Sequence, residues 1–322
     1  MSAIDMAPPR IRTRAISGHW NILFVALAAA LLVAPALLYP VVLMKALCLG
    51  LFAIAANLLI GYIGLLSVGQ AMFLGTASYV TAYSAKEWGF PVELAVLAGT
   101  GAATLLGVVT GWLSIRRQGM YFAMITLALS QLVYLVYVRA PFTGGENGIQ
   151  QVPRGHLFGF IDLSNDLTLY YVIAVIFMAC FLLACRIIYS PFGQVVKAIR
   201  ENETRVVSLG YKPSHYKLIL FVIAAAMSGL AGSLKAIVFQ LASLSDVTWG
   251  MSGEVVLMTL LGGVGTVFGP LVGAFMLTTI EFMLSRLNAW LVLAQGIIFI
   301  VCVLVFRRGV VGELSRIFKK PL

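Results

Sequence analysis

Cysteine and histidine, the side chains that most readily act as nucleophiles or bind transition metals, are scarce in this sequence. The cysteines all lie in apolar runs, and the histidines fall in three separate flanking or loop segments. These residues are Cys48, Cys180, Cys185, Cys302, His19, His156 and His215. Their spacing matches no metal site and no disulfide framework, and no nucleophile stands with a base and an orienting group. We therefore predict no metal ligands and no catalytic residues, and hence a protein that is not itself an enzyme.

A different chemistry, ATP hydrolysis, is suggested by the letters "LSVGQ" at residues 66–70. They resemble the "LSGGQ" signature with which ABC ATPases contact the γ-phosphate of ATP. A nucleotide-binding domain also needs a glycine-rich loop that ends in Gly-Lys-Ser or Gly-Lys-Thr, and no lysine in this chain follows a glycine. The letters also lie inside a long apolar region, which a nucleotide could not reach. The likeness to the ATPase signature is therefore coincidental.

The elements that carry these residues are predicted to be membrane helices. Of the 322 residues, 61% are hydrophobic and only 11% are charged, and no water-soluble domain buries that much apolar surface. A span needs about 20 apolar residues, so we predict an all-α, polytopic transmembrane bundle of about eight to ten spans. The candidate spans are residues 21–39, 46–64, 70–85, 92–114, 119–138, 168–188, 217–240, 251–263, 268–284 and 289–306. The glycine-rich stretch between the two spans before the last is either a tight turn or a break in one helix.

The orientation of the bundle follows from its 22 Lys and Arg residues. Most of them fall in segments that lie inside the cell if the N-terminus does, so the positive-inside rule places both termini in the cytoplasm. The net charge of +10 thus reflects topology rather than a nucleic-acid-binding surface. We predict a cytoplasmic tail at 1–20, a membrane domain at 21–306 and a second cytoplasmic tail at 307–322. A cleaved signal peptide is the alternative for residues 1–40, but the apolar run there is longer than the apolar core of about 7–15 residues in such peptides.

One long loop lies on the predicted outer side, at residues 139–167. It contains Gly144, Gly145 and Asn147, which are turn-forming residues. Two interpretations stay open at this point. The loop is a plain surface connection, or it is an external gate or docking surface for a soluble partner.

The long loop on the predicted cytoplasmic side, residues 189–216, has the pattern of a short amphipathic helix. Ser190 and Pro191 are typical of a helix start, and Gly210 with Pro213 beyond it is typical of a helix end. The sequence therefore predicts one helix across this segment. Such a helix either lies on anionic lipid or fits a groove on a cytoplasmic partner.

Polar residues interrupt the early membrane region. Asn57, Ser67, Gln70, Thr76 and Tyr79 lie within or beside predicted spans, among several glycines. In lipid, such groups must face protein or water, so they either join neighbouring helices or border a solute path. Charged groups inside the spans are few, although an ion-coupled transporter normally needs them as a relay. The pattern therefore favours an external source of energy.

Four segments together resemble one family, the permease subunits of branched-chain amino-acid ABC importers, and in particular the LivM-type subunit. The segments are "GYIGLLSVGQAMFLGTASYV", "FTGGENGI", "SPFGQVVKAIRENETRVVSLGYKPSHYKLILFVIAAAMSGLAGSL" and "LLGGVGTVFGPLVGAFML". They occur in the family's order and cover most of residues 55–280. A departure from the general importer loop, Glu-Ala-Ala followed by Gly, is that "ETRVVSLG" lacks both alanines.

This resemblance implies a non-catalytic subunit that forms the translocation pathway of an ATP-driven importer in the bacterial inner membrane. The partners it implies are a homologous LivH-like permease, two ATP-binding cassette subunits, a periplasmic solute-binding protein and membrane lipid. ATP and magnesium bind to the partner ATPases, so this chain needs no cofactor and no nucleic acid. In the family the inner segment docks the ATPase, which implies that Arg200, Glu201, Glu203 and Gly210 lie at or beside that contact.

The solutes that the resemblance implies are leucine, isoleucine and valine. Relatives in the family carry urea, short amides or aromatic acids, which are the alternatives, and a stand-alone secondary transporter is a further one. We expect the polar residues Asn57, Ser67, Gln70, Thr76 and Tyr79 to border the path of the solute.

Overall fold

The structure is a computed structural model that describes residues 18–157, 161–284 and 309–317, together with residues 296 and 300. Most of its elements are helices. They are α1 (Gly18–Leu37), α2 (Pro40–Asn57), α3 (Gln70–Lys86), α4 (Val92–Ser114), α5 (Met120–Arg139), α6 (Asp166–Tyr189), α7 (Pro191–Glu201), α8 (Glu203–Ser208), α9 (Pro213–Phe239), α10 (Trp249–Gly262), α11 (Gly269–Leu284) and α12 (Val310–Ile317). A π-helical segment, Leu58–Ile63, extends α2. The short strands are β1 (Ile149–Gln150), β2 (His156–Leu157), β3 (Ile161–Asp162) and β4 (Leu241–Ala242).

The all-α, polytopic architecture predicted from the sequence is confirmed. Within the described residues, five helices are long and apolar enough to cross a membrane, namely Pro40–Ile63, Val92–Ser114, Met120–Arg139, Asp166–Tyr189 and Pro213–Phe239. Phe24–Ala36 and Gly269–Leu284 are shorter apolar helices. The glycine-rich stretch at 263–268 is a turn between α10 and α11. Parts of both predicted tails, Cys302 and most of the predicted span 289–306 lie outside the described residues.

Proline marks the start of several helices, where its missing N–H is not needed. Pro40, Pro191 and Pro213 are the first residues of α2, α7 and α9. The start of α6 is set instead by a side-chain cap, in which Asn165 Oδ1 accepts a 3.0 Å hydrogen bond from the Leu167 amide. Local capping chemistry therefore fixes where these helices begin.

The apolar helices differ in how far they are enclosed. The central elements are α2 with its π-helical extension, α3 and much of α9, which are largely buried. In contrast, α4, α5 and α6 each bury one face and expose the other. Among the five long apolar helices α5 is the least enclosed, since only 17% of its apolar stretch is buried. Central α3 contacts α5, whose opposite face is exposed among the residues that the structure describes.

The bundle has two ends, which α6 connects through 24 residues, or about 36 Å of helix. The end that carries α7 and α8 is called the inner end. The end that carries residues 140–157 and 161–165, called the outer loop, is the outer end. The charge pattern predicts that these ends face the cytoplasm and the outside, respectively.

Glycines bring the backbones of neighbouring helices into contact. A Cβ on Gly232 of α9 would overlap the Leu74 carbonyl in α3, and a Cβ on Gly273 of α11 would overlap the Met258 carbonyl in α10. Close approach through small residues is the usual way in which helices associate in lipid. The glycine-rich segments thus act as packing surfaces.

Candidate functional site

Several polar atoms are buried without a hydrogen-bond partner within the described parts of α3, α5 and the loop before α3. They include Ser67 Oγ, Gln70 Nε2, Tyr79 OH, Ser130 Oγ and Gln131 Nε2. An unpaired polar group is costly inside a bilayer, where no water compensates it. This region, which we call the α3–α5 seam, therefore contains hydrogen-bonding groups that water or a polar solute could satisfy.

Aromatic stacking and a hydrogen bond join the two sides of the seam. The rings of Tyr79 and Tyr137 stack with their centroids 4.8 Å apart and their planes 20° apart. Thr76 lies beside the Tyr137 hydroxyl. Towards the inner end, the Val68 amide donates to Thr126 Oγ1 at 3.3 Å. Hydrogen-bonding groups therefore follow the seam from its inner end towards the tyrosines.

Most of the predicted pathway residues belong to this seam, namely Ser67, Gln70, Thr76 and Tyr79. Gln70 also joins α3 to α9, because its Oε1 accepts a 3.0 Å hydrogen bond from Ser228 Oγ. That contact leaves the Gln70 Nε2 donor unpaired. Gln70 therefore links two helices and still presents an unpaired donor, and its contact with a solute stays a prediction.

Asn57 is the predicted pathway residue that lies away from the seam. Its Nδ2 donates to the Thr266 carbonyl and its Oδ1 accepts from the Gly265 amide, both at 2.9 Å. Asn57 therefore holds the turn between α10 and α11 against the end of α2. Its contact with a solute stays a prediction, since both polar groups are occupied in packing.

Sequence reasoning did not identify the contribution of α5. Ser130 and Gln131 stand next to each other in the middle of an otherwise apolar helix, and Tyr137 follows two turns later. The sequence signal for a functional role of α5 was this polar pair at the centre of a predicted span. It becomes informative once α5 is known to contact α3.

At the inner end, Arg200 joins α7 to the central helix. Its Nη1 donates to the Gly61 carbonyl in the π-helical segment. The aliphatic part of Arg200 packs beside Gly64, where a Cβ would lie 3.2 Å from Arg200 Cγ. Gly61 in turn touches the turn between α10 and α11, since a Cβ there would lie 2.6 Å from the Gly265 amide nitrogen. The end of α7 therefore contacts the extension of α2, which in turn contacts this turn.

A concave site of about 410 Å³ opens beside this contact. Its lining consists of Gly61, Tyr62, Lys197, Arg200, Glu201 and Gly265. The Lys197 ammonium lies 5.6 Å from the ring centroid of Tyr62 and 5.3 Å from that of Tyr189, within the range of cation–π attraction. Burial lowers the pKa of Lys197. The predicted contact residues Arg200 and Glu201 therefore share one depression at the inner end.

The inner segment contains two short helices, so the prediction of a single helix across it is wrong. Ser190 starts α7 as predicted, with its Oγ accepting a 3.2 Å hydrogen bond from the Gly193 amide. The helix ends at Glu201 because Asn202 has an extended backbone. The Asn202 side chain then caps α8 by accepting a 3.0 Å hydrogen bond from the Arg205 amide. Asparagine favours such a cap over a helix interior.

Glu203 and Gly210 fix the second half of this segment. Lys217 Nζ lies 2.8 Å from both carboxylate oxygens of Glu203, and the Lys217 side chain is almost fully buried. This ion pair ties α8 to the N-terminal part of α9. Gly210 has a φ of +87°, which favours glycine, and nothing lies within 4 Å of a Cβ placed there. The two short helices are therefore anchored to the spans on either side.

The outer loop is fastened to helix ends. Strand β1 pairs antiparallel with β4, with Ile149 opposite Ala242. Arg154 donates to the Val238 carbonyl at 2.8 Å and pairs with Asp166 at 2.7 Å. The loop is therefore an ordered cap that contacts both α6 and the chain after α9.

The tip of the outer loop contains the predicted gate or docking residues. Gly144 and Gly145 have φ angles of +73° and +59°, in the left-handed region that favours glycine. Asn147 is exposed and ends the short 3-10 helix that begins at Gly145. The three residues thus lie close together at the outer end, where Gly144 and Asn147 are exposed and Gly145 is half-buried.

Four ionisable side chains near the outer end of the described bundle form two ion pairs. No group of three or more His, Cys, Asp or Glu side chains among these residues is placed to hold a metal ion. Lys45 pairs with Glu281 at 2.7 Å, and Lys235 pairs with Asp246 at 2.6 Å. Both pairs lie towards the outer end.

The family of the chain follows from comparison with known proteins. Residues 38–306 match the family model described as the permease component of the branched-chain amino acid transport system. The chain belongs to this permease family. The match includes the seam, the inner segment and the outer loop, and it confirms the resemblance inferred from the four sequence segments. With its apolar helices, the permease is a multi-pass membrane protein.

Several curated relatives resemble the permease. It is 28% identical over 270 residues to the high-affinity branched-chain amino acid transport system permease protein LivM of Escherichia coli, and 28% identical over 273 residues to that of Salmonella typhimurium. Each alignment covers 76% of this chain and 63% of the relative. The ribose import permease protein RbsC of Bacillus subtilis is 28% identical over 197 residues, covering 57% of this chain and 58% of the relative. No solved structure gives a significant match.

Proposed function

We propose that this chain is the membrane-spanning permease subunit of an ATP-driven ABC importer for branched-chain amino acids. Its family membership supports the transport role, and the names of the LivM relatives support the solute class. The observation that carries the proposal is the contact from Arg200 to the Gly61 carbonyl, because it joins a surface helix to the centre of the bundle. Such a joint is what a subunit moved by an external motor needs.

The coupling step runs through the inner segment in this proposal. Partner ATPases, which bind ATP and magnesium, dock at α7 and α8 near Arg200, Glu201, Glu203 and Gly210. Their closure displaces α7, and Arg200 passes the displacement to the π-helical segment and to the turn held by Asn57. The bundle then alternates between outward-facing and inward-facing states.

The solute route follows the α3–α5 seam. Its hydrogen-bonding groups are neutral, as suits a small solute without net charge, and the unpaired Gln70 Nε2 is available to bind it. Branched-chain amino acids are zwitterions at neutral pH and fit this description. Urea, short amides and ribose are neutral as well, and the relationship to a ribose import permease keeps a sugar as the second candidate.

The remaining partners belong to the importer as a whole. A homologous LivH-like permease completes the translocation pathway, and the poorly enclosed α5 offers it a surface. A periplasmic solute-binding protein docks at the outer loop near Gly144, Gly145 and Asn147. The complex resides in the bacterial inner membrane, in contact with lipid.

ATP-driven uptake by the reconstituted complex tests the proposal. Liposomes that hold the complex and internal ATP should accumulate labelled leucine when the solute-binding protein is outside, and unlabelled isoleucine or valine should compete. Uptake that follows an ion gradient and ignores ATP would contradict the proposal. Competition by ribose but not by isoleucine would assign the sugar instead.

A Gln70→Leu variant tests the route. Losing a hydrogen bond of about 1.4 kcal/mol to the solute predicts about a tenfold fall in transport efficiency. Thr104→Val is the matched control, because the Thr104 hydroxyl donates to the Thr100 carbonyl in its own helix. Wild-type rate and affinity in Gln70→Leu would remove Gln70 from the route.

A further inference from the structure

The outer end of the seam is closed by a second apolar cluster, separate from the main core. Its buried members are Tyr79, Ala82, Ala85, Ala95, Tyr137, Ile149, Val152, Ala242, Leu244 and Val247. The two seam tyrosines therefore pack with residues from the outer loop and from the segment that follows α9. An apolar plug of this kind excludes water from the unpaired polar atoms beneath it.

The segment at residues 240–248 forms the lid of this cluster. Gln240 adopts a left-handed conformation with a φ of +52°, which ends α9 and turns the chain back towards the bundle. Leu244–Val247 then forms a short 3-10 helix over α3. Val247 is completely buried, and a Cβ on Gly75 would lie 3.1 Å from the Val247 Cβ. Gly75 thus provides the seat in which the lid closes.

A buried ion pair holds the lid in place. Asp246 is only 3% exposed, and Lys235 of α9 lies 2.6 Å from its Oδ1. Asp246 also lies within electrostatic range of Tyr79. A buried pair gains little over apolar packing, but removing one partner strands a buried charge and is strongly destabilising. The pair therefore favours one position of the lid over every other.

The outer loop is attached to this lid by backbone contacts. Strand β1 of the loop pairs with β4 of the segment, and the Val152 amide donates to the Gln240 carbonyl at 3.1 Å. A Cβ on Gly148 would overlap the Ala242 carbonyl, so the two backbones touch. A force on the exposed loop would therefore act on the segment 240–248.

We infer that the segment 240–248 is the external gate of the α3–α5 seam and that Lys235 and Asp246 are its latch. Closed, it seals the seam with Leu244 and Val247. When a partner pulls on the outer loop, the paired strands lift the segment, the latch separates and the seam opens to the outside. This inference rests on the proposed function, because a gate has meaning only if a solute passes.

Labelling of a cysteine inside the seam tests the latch directly. Ser130→Cys in the otherwise intact complex is exposed to a membrane-impermeant thiol reagent outside intact cells, and the modified peptide is quantified by mass spectrometry. Adding Asp246→Asn should raise the labelling rate by about tenfold, because the lid loses the ion pair with Lys235 that favours its closed position. The matched control is Glu203→Gln, which breaks an ion pair with a buried lysine, Lys217, at the inner end, away from the lid. Equal labelling in both variants would overturn the assignment of the latch.

A reversible cross-link tests the gate even if Asp246→Asn inserts poorly. A Cβ at position 75 would lie 3.1 Å from the Val247 Cβ, slightly less than the about 3.5–4.5 Å between the Cβ atoms of a disulfide. Replacing Val247 with cysteine removes the Val247 Cγ2 atom that lies nearest to that position, so a small outward shift of the lid accommodates the disulfide. In the Gly75→Cys, Val247→Cys double variant, oxidation should abolish uptake and a reductant should restore it, whereas Val247→Cys alone should ignore the oxidant. If the cross-linked double variant takes up solute as fast as it does after treatment with the reductant, the assignment of the gate is overturned.

The two proposals fail in different ways. Labelling of Ser130→Cys requires neither ATP hydrolysis nor a known solute. If the wild-type complex shows no ATP-driven uptake, the proposed function fails while the labelling result still decides the latch. If uptake is normal and labelling is insensitive to Asp246→Asn, the latch fails alone.

Discussion

Replacing Arg200 with methionine should uncouple ATP hydrolysis from transport. The substitution removes the charge-assisted hydrogen bond to the Gly61 carbonyl but keeps an aliphatic chain beside Gly64. Such bonds contribute about 1.5–3 kcal/mol, and we take the lower limit because Arg200 is exposed to solvent, which screens its charge. A loss of about 1.5 kcal/mol corresponds to about a tenfold weaker joint between α7 and α2. We therefore expect about tenfold less solute transported per ATP hydrolysed.

The assay measures uptake and ATP hydrolysis in the same proteoliposomes. Arg205→Met is the matched control, because Arg205 is exposed on α8 in the same segment and carries the same charge. The amount of ATPase that co-purifies with Arg200→Met should stay at the wild-type level, since the joint lies inside the permease. An unchanged ratio of transport to hydrolysis would refute the reasoning. Loss of the ATPase from the complex would also refute it, because Arg200 would then be a docking residue.

Three further predictions concern packing, the inner segment and the outer loop. Gly107→Ala should destabilise the detergent-solubilised chain by about 1–3 kcal/mol, because the new Cβ would overlap the Ala225 Cβ. Gly101→Ala is the control, because a Cβ at that position meets open space. Equal thermal unfolding temperatures of the two variants would contradict the prediction. Lys217→Met should leave the Glu203 carboxylate without its ion-pair partner. We expect α8 to be destabilised by about 1–3 kcal/mol, a range that allows for the partly exposed carboxylate. Amide hydrogen exchange should therefore become faster at residues 203–208 and stay slow in α9. Gly145→Glu should weaken the stimulation of uptake by the solute-binding protein by about tenfold, because position 145 has a positive φ that disfavours glutamate and because the substitution adds a charge. Unchanged stimulation would make the loop a plain connection.

The positions of the helices could be predicted from local sequence, but which helices are buried inside the bundle could not. The predicted span at 92–114 has the bounds of α4, and the span predicted at 70–85 is nearly α3 (Gln70–Lys86), because polar residues and prolines mark the ends. Helices α2 and α5 are both apolar, yet one is central and the other mostly exposed. Lipid and protein interiors are equally apolar, so hydropathy does not distinguish a lipid-facing surface from a packed one.

The candidate site could be predicted only where residue type alone carries the information. Gln70 and Tyr79 stand out as polar groups in membrane helices, and both lie in the seam. Asn57 has the same appearance in sequence, but its amide is used to hold a turn that is distant along the chain. The break at Asn202 was missed because a capping side chain overrode the apolar pattern that favoured one helix. Partners of these polar groups depend on tertiary contacts, which a single sequence does not specify.

Purification of the tagged chain from its native membrane in mild detergent tests the central claim most directly, because an importer subunit is defined by what it binds. Mass spectrometry of the co-purifying proteins should identify a second permease of this family and two ATP-binding cassette subunits. Recovery of the chain alone, both in detergent and in lipid nanodiscs, would contradict the importer and favour a transporter that works without an ATPase.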